Sequence, residues 1–205
     1  MSVVLALDAS LGVPSCAVWS GDAAGYAAGE RSFVEDFPTV IRTALASCRL
    51  SLSEVDELVV GVGPGSFMGV RSAVTTTNAL GLALDKPISG VASVDAVAAC
   101  AAASAGSFVV AVPAGRGRSF SARYSRRDRL VVRDGPRPLN PVSEVPAGAV
   151  GAVAPGSRQA GDPLAVELTA ACLVTVLHEQ PQFVIDSRAK RAVALLPRAA
   201  VEASP

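Results

Sequence analysis

Histidine is almost absent from this chain: His178 is the single imidazole in 205 residues. The four cysteines, Cys16, Cys48, Cys100 and Cys172, are scattered with no C-x-x-C pair. Neither a zinc or iron site of ordinary type nor a disulfide framework is indicated, and a reducing compartment fits best. Net charge is also lacking, with 18 Lys and Arg against 18 Asp and Glu. No whole-molecule field therefore draws the chain to nucleic acid or anionic lipid, and any such contact must be local. Lysine is scarce, two residues against 16 arginines, beside an apolar set dominated by Ala and Val. That bias reads as genomic composition before it reads as chemistry. No basic segment precedes the first apolar run, which already contains Asp8, so a secretory signal is not expected and a cytoplasmic location is. One stretch, Ala96 to Gly115, runs 20 residues without a charge, but it is alanine-rich, broken by Ser104-Ala105-Gly106-Ser107 and contains Pro113. It reads as a helix, a turn and a buried strand rather than a membrane span.

What is present is 50% apolar content, enough to bury a sizeable core as one α/β domain or two small lobes. Val3 to Leu7 has the unbroken apolar character of a strand buried on both faces, and Asp8-Ala9-Ser10-Leu11-Gly12 follows as a turn. Ser15–Ser20 and Gly25–Arg31 extend it into a meander. From Glu35 the period changes: Phe37, Val40, Ile41, Ala44, Leu45 and Cys48 form one stripe of an amphipathic helix packed on that sheet. Strands are expected over 57–62 and 88–92, with helices over 69–84 and 94–103. The helix over 69–84 is uncharged from Ser72 to Leu84, and its face opposite Val70, Val74 and Gly81 consists of Thr75, Thr76, Ala79, Leu82 and Ala83. A helix without charge all round is normally covered on more than one side. Beyond it, strands are expected over 108–112, 119–124, 130–133 and 149–154. A helix is expected from the Asp162-Pro163 cap to about His178, then an extended segment over 192–197. The lobe boundary is drawn at 104/105, giving lobes of 1–104 and 105–205.

The most informative segment is Gly61-Val62-Gly63-Pro64-Gly65-Ser66-Phe67-Met68-Gly69-Val70-Arg71, where a β-branched run enters a tight turn and leaves as a helix. Two readings are open. The loop and helix N-terminus form an anion cradle; or Gly63 and Gly65 supply unusual backbone angles, Ser66 caps the helix, Phe67 plugs the core and Arg71 meets a carboxylate or carbonyl. The spacing is neither a Walker A sequence nor G-x-G-x-x-G. Asp8 with Ser10 at the end of a first strand likewise suits either Mg-phosphate binding or a side chain satisfying its own turn. A two-sided phosphate clamp would need a second acidic turn after 108–112. Pro113-Ala114-Gly115-Arg116-Gly117-Arg118 has no carboxylate. A Ser66–His178 pair is the sole nucleophile and base combination on offer, separated by about 110 residues.

These segments, with Gly81-Leu82-Ala83-Leu84, Ile88-Ser89-Gly90-Val91 and Ser93-Val94-Asp95-Ala96, resemble in order and spacing the TsaB (YeaZ) family. Met68 and Val70 stand where that family usually has Thr and Leu. The likeness is close over about residues 1–125, and Leu196-Pro197-Arg198 is similar to the family's closing Y-L-R. It implies an α/β fold of the actin-like ATPase (ASKHA), ribonuclease-H-like kind, in two lobes with the second reduced. It also implies a non-catalytic part in forming N6-threonylcarbamoyladenosine at position 37 of tRNA, as the partner of the paralogous metal-binding transferase TsaD and the ATPase TsaE. TsaD holds its metal through an H-x-x-x-H pair. The matching stretch here, Ser32 to Pro38, has no histidine.

The resemblance further implies that helices one and two pair with TsaD, or with a second copy, as a four-helix bundle. Val40, Ala44, Thr75, Thr76, Ala79, Leu82 and Ala83 are the interface residues expected from it, small side chains permitting close approach and Leu82 acting as an anchor. Asp8, Ser10, Gly63, Pro64, Gly65, Ser66 and Arg71 are then a structural motif. No catalytic residue, metal or cofactor is expected, a nucleotide fitting only at a subunit junction; tRNA would be met indirectly through the complex, and no membrane is involved. The family's D-A-R-R-G-E-V-Y turn is replaced by Pro113 to Phe120, without acids. The alternatives from other classes are a small-molecule kinase or ATPase using Asp8 and the Gly63–Gly65 loop, and an M22-type peptidase.

Overall fold

A computed structural model describes residues 2–21, 23–29, 36–101, 106–135, 139–156 and 165–189. Strands β1 (Val4–Asp8), β2 (Ser15–Trp19) and β3 (Ala24–Ala28) form the meander, antiparallel in register from Val4 opposite Trp19 to Asp8 opposite Ser15. Helix α1 (Phe37–Ser47) leads to β4 (Glu57–Gly61), which lies parallel to β1. Helix α2 (Phe67–Leu84) then leads to β5 (Ile88–Val91), parallel to β4. After α3 (Ser93–Cys100) the chain builds a second meander, β6 (Gly106–Gly115), β7 (Arg118–Arg127) and β8 (Leu130–Arg133). A short β9 (Leu139–Pro141) also pairs with β7. Parallel strands β10 (Val150–Val153) and β11 (Ala165–Glu167) complete that sheet, α4 (Ala170–Glu179) follows, and β12 (Val184–Ala189) returns to the first sheet beside β5.

The two sheets read β3-β2-β1-β4-β5-β12 and β8-β7-β6-β10-β11. The first five strands of each therefore share one order, meander first and parallel strands after, and this is the doubled ribonuclease-H-like arrangement of the actin-like fold. Strand alternation splits the core: Leu5 and Leu7 face α1 and α2, whereas Val4 and Ala6 face α3, α4 and the second sheet. The layers run α1/α2, first sheet, α4/α3, second sheet, with α4 resting on β1 and β2 and α3 on β6 and β7. Among the described residues no helix is long and apolar enough to cross a membrane. The uncharged run becomes most of α3 and the whole of β6, with residues 102–105 between them outside the described ones.

Several expectations are corrected. The helix over 163–178 begins at Ala170, because Ala165–Glu167 pairs in parallel with β10; its expected cap at 162–163 lies outside the described residues. Strands β9 and β12 carry no clear alternation and were not expected. The segment 192–197, the end of the strand read to Arg31, most of 32–38 and the lobe boundary at 104/105 also fall outside the described residues. Sheet membership does not follow chain order, since β12 belongs to the first sheet.

Candidate functional site, a glycine-lined corner and an open helix face

The Asp8 turn and the glycine loop meet at the C-terminal ends of β1 and β4. Ser10 donates its backbone N–H to Asp8 Oδ1 at 2.9 Å and its hydroxyl to Oδ2 at 2.8 Å. The Ser93 hydroxyl donates to Ser10 Oγ at 2.8 Å, and the Ser93 N–H to the Gly63 carbonyl at 2.8 Å. From the loop, the Ser66 N–H donates to the Ser10 carbonyl at 2.6 Å, while Ser66 Oγ accepts from the Gly69 N–H at 3.3 Å and so caps α2. Gly63 has φ +84°, and its bond to Pro64 is cis. The glycines exist because the turn lies on them. A Cβ at Gly61 would sit 1.8 Å from Asp8 Oδ2, one at Gly65 2.2 Å from the Ser10 carbonyl oxygen, and one at Gly69 1.9 Å from the Ala9 carbonyl oxygen. The loop's N–H groups at Ser66, Gly69 and Val70 are satisfied by protein. This geometry is a corner of close packing between the turn and the loop.

Burial pushes the Asp8 carboxyl up from 3.8 to about 6, against the lowering effect of its two bonds from Ser10. Between those values the folded chain holds a proton that the unfolded chain has lost, so stability falls as pH rises from about 4 to about 6. The full penalty, about 3 kcal/mol, is present above that window. In Asp8→Asn this decline is expected to disappear, leaving the variant relatively more stable at pH 7 than at pH 4. Urea midpoints of both proteins across pH 4 to 7 measure it, and parallel profiles would contradict the assignment.

Ser15 and Ser93 were missed as members of this corner. Ser15 Oγ accepts the Ala170 N–H at 3.0 Å and donates to the Asp8 carbonyl at 3.3 Å, tying the start of α4 to β1. A serine at a strand end or helix start carries no distinguishing signal in a sequence. Asp95, in the first turn of α3, accepts from the Tyr124 hydroxyl at 2.7 Å and from Arg133 Nη1 at 3.1 Å. It fastens α3 to the second sheet.

The remaining chemical candidates separate. His178 lies against Trp19, the rings tilted by 49° with centroids 4.0 Å apart. Trp19 pairs with Val4, at the opposite end of β1 from Asp8, so about 13 Å of strand lies between the His178 end and the Ser66 corner. No Ser66–His178 pair forms. Burial raises the Cys16 thiol, making it a poor nucleophile. Among the described residues no group of three or more His, Cys, Asp or Glu is placed to hold a metal. The Pro113 to Arg118 segment is the end of β6 and a tight turn with Arg116 and Gly117 at positive φ.

On α2, Val70, Ala73, Val74, Thr77 and Gly81 are buried against the sheet, and Thr75, Ala79, Leu82 and Ala83 face solvent, with Thr76 half-buried. Leu82 is 85% exposed. Phe67 does not plug the core: it is 72% exposed, beside Met68 at 60%, while Gly69 and Val70 take the buried positions of the first turn of α2. Arg71 is exposed and makes no ion pair among the described residues. Val40 and Ala44 are corrected as surface residues. Both lie on the stripe of α1 that packs on the first sheet, 3% and 0% exposed, so Thr39, Arg42, Thr43 and Ala46 form the outer face of α1. Between the helices an apolar groove of about 510 Å³ is lined by Pro38, Ile41, Leu45, Leu52, Thr76 and Leu80.

A family model described as TsaD, tRNA N6-adenosine threonylcarbamoyltransferase, matches residues 27–132. An uncharacterized protein of Mycobacterium leprae is 32% identical over 148 residues, 69% of this chain and 38% of that protein. The tRNA threonylcarbamoyladenosine biosynthesis protein TsaB of Bacillus subtilis is 32% identical over 91 residues, 44% of this chain and 40% of its own length. The chain spans about half or less of the length of such curated relatives. The solved structure of YeaZ from Pseudomonas aeruginosa superposes with a TM-score of 0.70 over 86% of this chain and 90% of that one, at 24% identity. A TsaD-type family model over more than half of the residues, a relative named TsaB and the fold of YeaZ agree with the glycine corner and the doubled sheet order, and the chain belongs to the TsaB (YeaZ) family.

Proposed function

We propose that this chain is a non-catalytic subunit in formation of N6-threonylcarbamoyladenosine on tRNA, binding and activating a TsaD-type transferase together with a TsaE-type ATPase. The observation that carries the reading is the open face of α2. Phe67, Met68 and Leu82 are large apolar side chains left in water along one helix, with Arg71, Thr75 and Ala79 between them and Ala83 beyond. Such a face is an association surface in waiting, and the neighbouring groove offers room for side chains of a facing helix. Relatives named as tRNA threonylcarbamoyladenosine biosynthesis proteins supply the pathway, and the close packing of turn on loop at the glycine corner favours a structural part for it. In this reading the chain works inside the cell, holding its partner in a working pose or pairing with a second copy when the partner is scarce.

Reconstitution tests it. TsaD, TsaE, threonylcarbamoyl-AMP and tRNA are expected to yield little modified adenosine until this chain is added, and the chain alone is expected to hydrolyse no ATP. Modification that proceeds equally without it, or ATP turnover lost in Asp8→Ala, would dismiss the proposal.

A further inference from the structure

The second sheet concentrates charge that the whole chain lacks. Between Gly106 and Gly135 there are seven arginines against two aspartates, in a protein of zero net charge. The structure sorts these arginines by task. Arg126 Nη2 donates to the carbonyls of Ala98 and Ala101 at 3.2 and 2.9 Å, closing the end of α3, and Arg133 is paired with Asp95. Both are occupied in holding α3.

Arg123 and Arg127 differ. Ala122 and Tyr124 on β7 are buried against α3, so strand alternation sends Arg123, Ser125 and Arg127 to the opposite face. Both arginines are exposed, and neither is in an ion pair among the described residues. Asp134, on the same face, accepts from the Ser125 hydroxyl at 3.2 Å. Arg129, in the β7–β8 turn beside Asp128, adds a further exposed guanidinium. The side chains of Arg123 and Arg127 are carried on backbone about 13 Å apart, a reach that an RNA strand bridges with a few phosphates. β7 is flanked by β6 on one side and by β8 and β9 on the other, so these arginines do not serve to blunt a sheet edge.

We infer that this outer face of β7 is a binding surface for the phosphate backbone of RNA, with Arg123 and Arg127 as its central contacts. The inference deepens the proposed function and rests on it for the choice of RNA as the polyanion. Guanidinium groups meet phosphate oxygens bidentately, which suits backbone contact without reading bases. Position supports it too. Two layers of helices and the first sheet separate this face from the open side of α2, so a protein partner and an RNA can be held at once.

The test is fluorescence anisotropy of the purified chain with an end-labelled unmodified tRNA transcript over a series of salt concentrations. Arg123→Ala with Arg127→Ala is expected to weaken binding about tenfold at low salt and to lower the slope of log affinity against log salt by about 2. Arg123→Lys with Arg127→Lys is expected to keep that slope, and the charge-matched Arg42→Ala with Arg71→Ala, on the far side of the molecule, to leave both quantities unchanged. Equal affinity in the β7 variant and the unaltered chain would overturn the inference, as would an equal loss in the Arg42 and Arg71 variant or displacement by polyglutamate as readily as by tRNA. The unaltered chain and the two β7 variants, added to the reconstituted modification assay, separate the two ideas. An active chain whose tRNA binding ignores Arg123 and Arg127 fails here alone. A chain that binds tRNA through them but never stimulates TsaD fails only the proposed function.

Discussion

Leu82→Glu is expected to leave the chain folded and to abolish the proposed pairing with TsaD and with a second copy. The side chain is 85% exposed, so the lone chain loses almost no buried contact, and circular dichroism and the thermal midpoint are expected to match the unaltered protein. In a complex the same position would be covered. Burying a leucine there contributes about 1.5–3 kcal/mol, and a carboxylate in its place adds a desolvation cost with no partner. Together these weaken pairing by roughly a hundredfold or more. Ala79→Arg, one turn earlier on the same face, acts by bulk and is expected to match it. Leu82→Ala removes only the apolar term and is expected to give a smaller loss. Light scattering and co-elution with TsaD are the measurements; unchanged mass and unchanged co-elution in both charged variants would remove α2 from the interface.

The second large effect is on folding itself. Gly69→Ala places a methyl 1.9 Å from the Ala9 carbonyl oxygen. The obstructing atom is backbone, held in a turn that also bonds Ser66 and Ser93, so relief requires moving α2 or the end of β1. A loss of about 3 kcal/mol or more is expected, a large part of the 5–15 kcal/mol typical of a folded domain. The variant is expected to unfold at much lower urea than the unaltered chain, or to accumulate as aggregate. Gly117→Ala is the control: its Cβ meets nothing within 4 Å, though its φ of +70° leaves backbone strain alone to be felt. If Gly69→Ala unfolds at the same urea concentration as the unaltered chain, the close approach of turn and helix is wrong.

How far these features were legible in the sequence depended on whether the signal was local. Helix α1 was visible because its stripe repeats at 3.6 residues and is backed by the sheet. The same stripe should have excluded Val40 and Ala44 from any outer surface, since one side chain cannot face the sheet and a partner together. The motif from Gly61 to Arg71 marked an important corner without revealing its use. Its glycines answer to Ala9, Ser10 and Asp8, some fifty to sixty residues away in the chain, and no periodicity encodes that approach. The packing reading of that motif placed Phe67 inward because large aromatics usually are; on the helix the buried face instead runs through Gly69, Val70, Ala73 and Val74.

Residue order alone established an α/β chain poor in metal ligands, with strands and helices alternating through the first hundred residues and a helix lacking charge on its outer face. Those properties follow from side-chain chemistry and short-range spacing. Tertiary structure alone decided that Asp8 is sealed in a protein-filled corner, that β12 returns to the first sheet, and which arginines are occupied by α3 and which stand open to solvent. Each of these depends on distant segments excluding water from one another, and burial of that kind is a property of the assembled layers rather than of any stretch of chain.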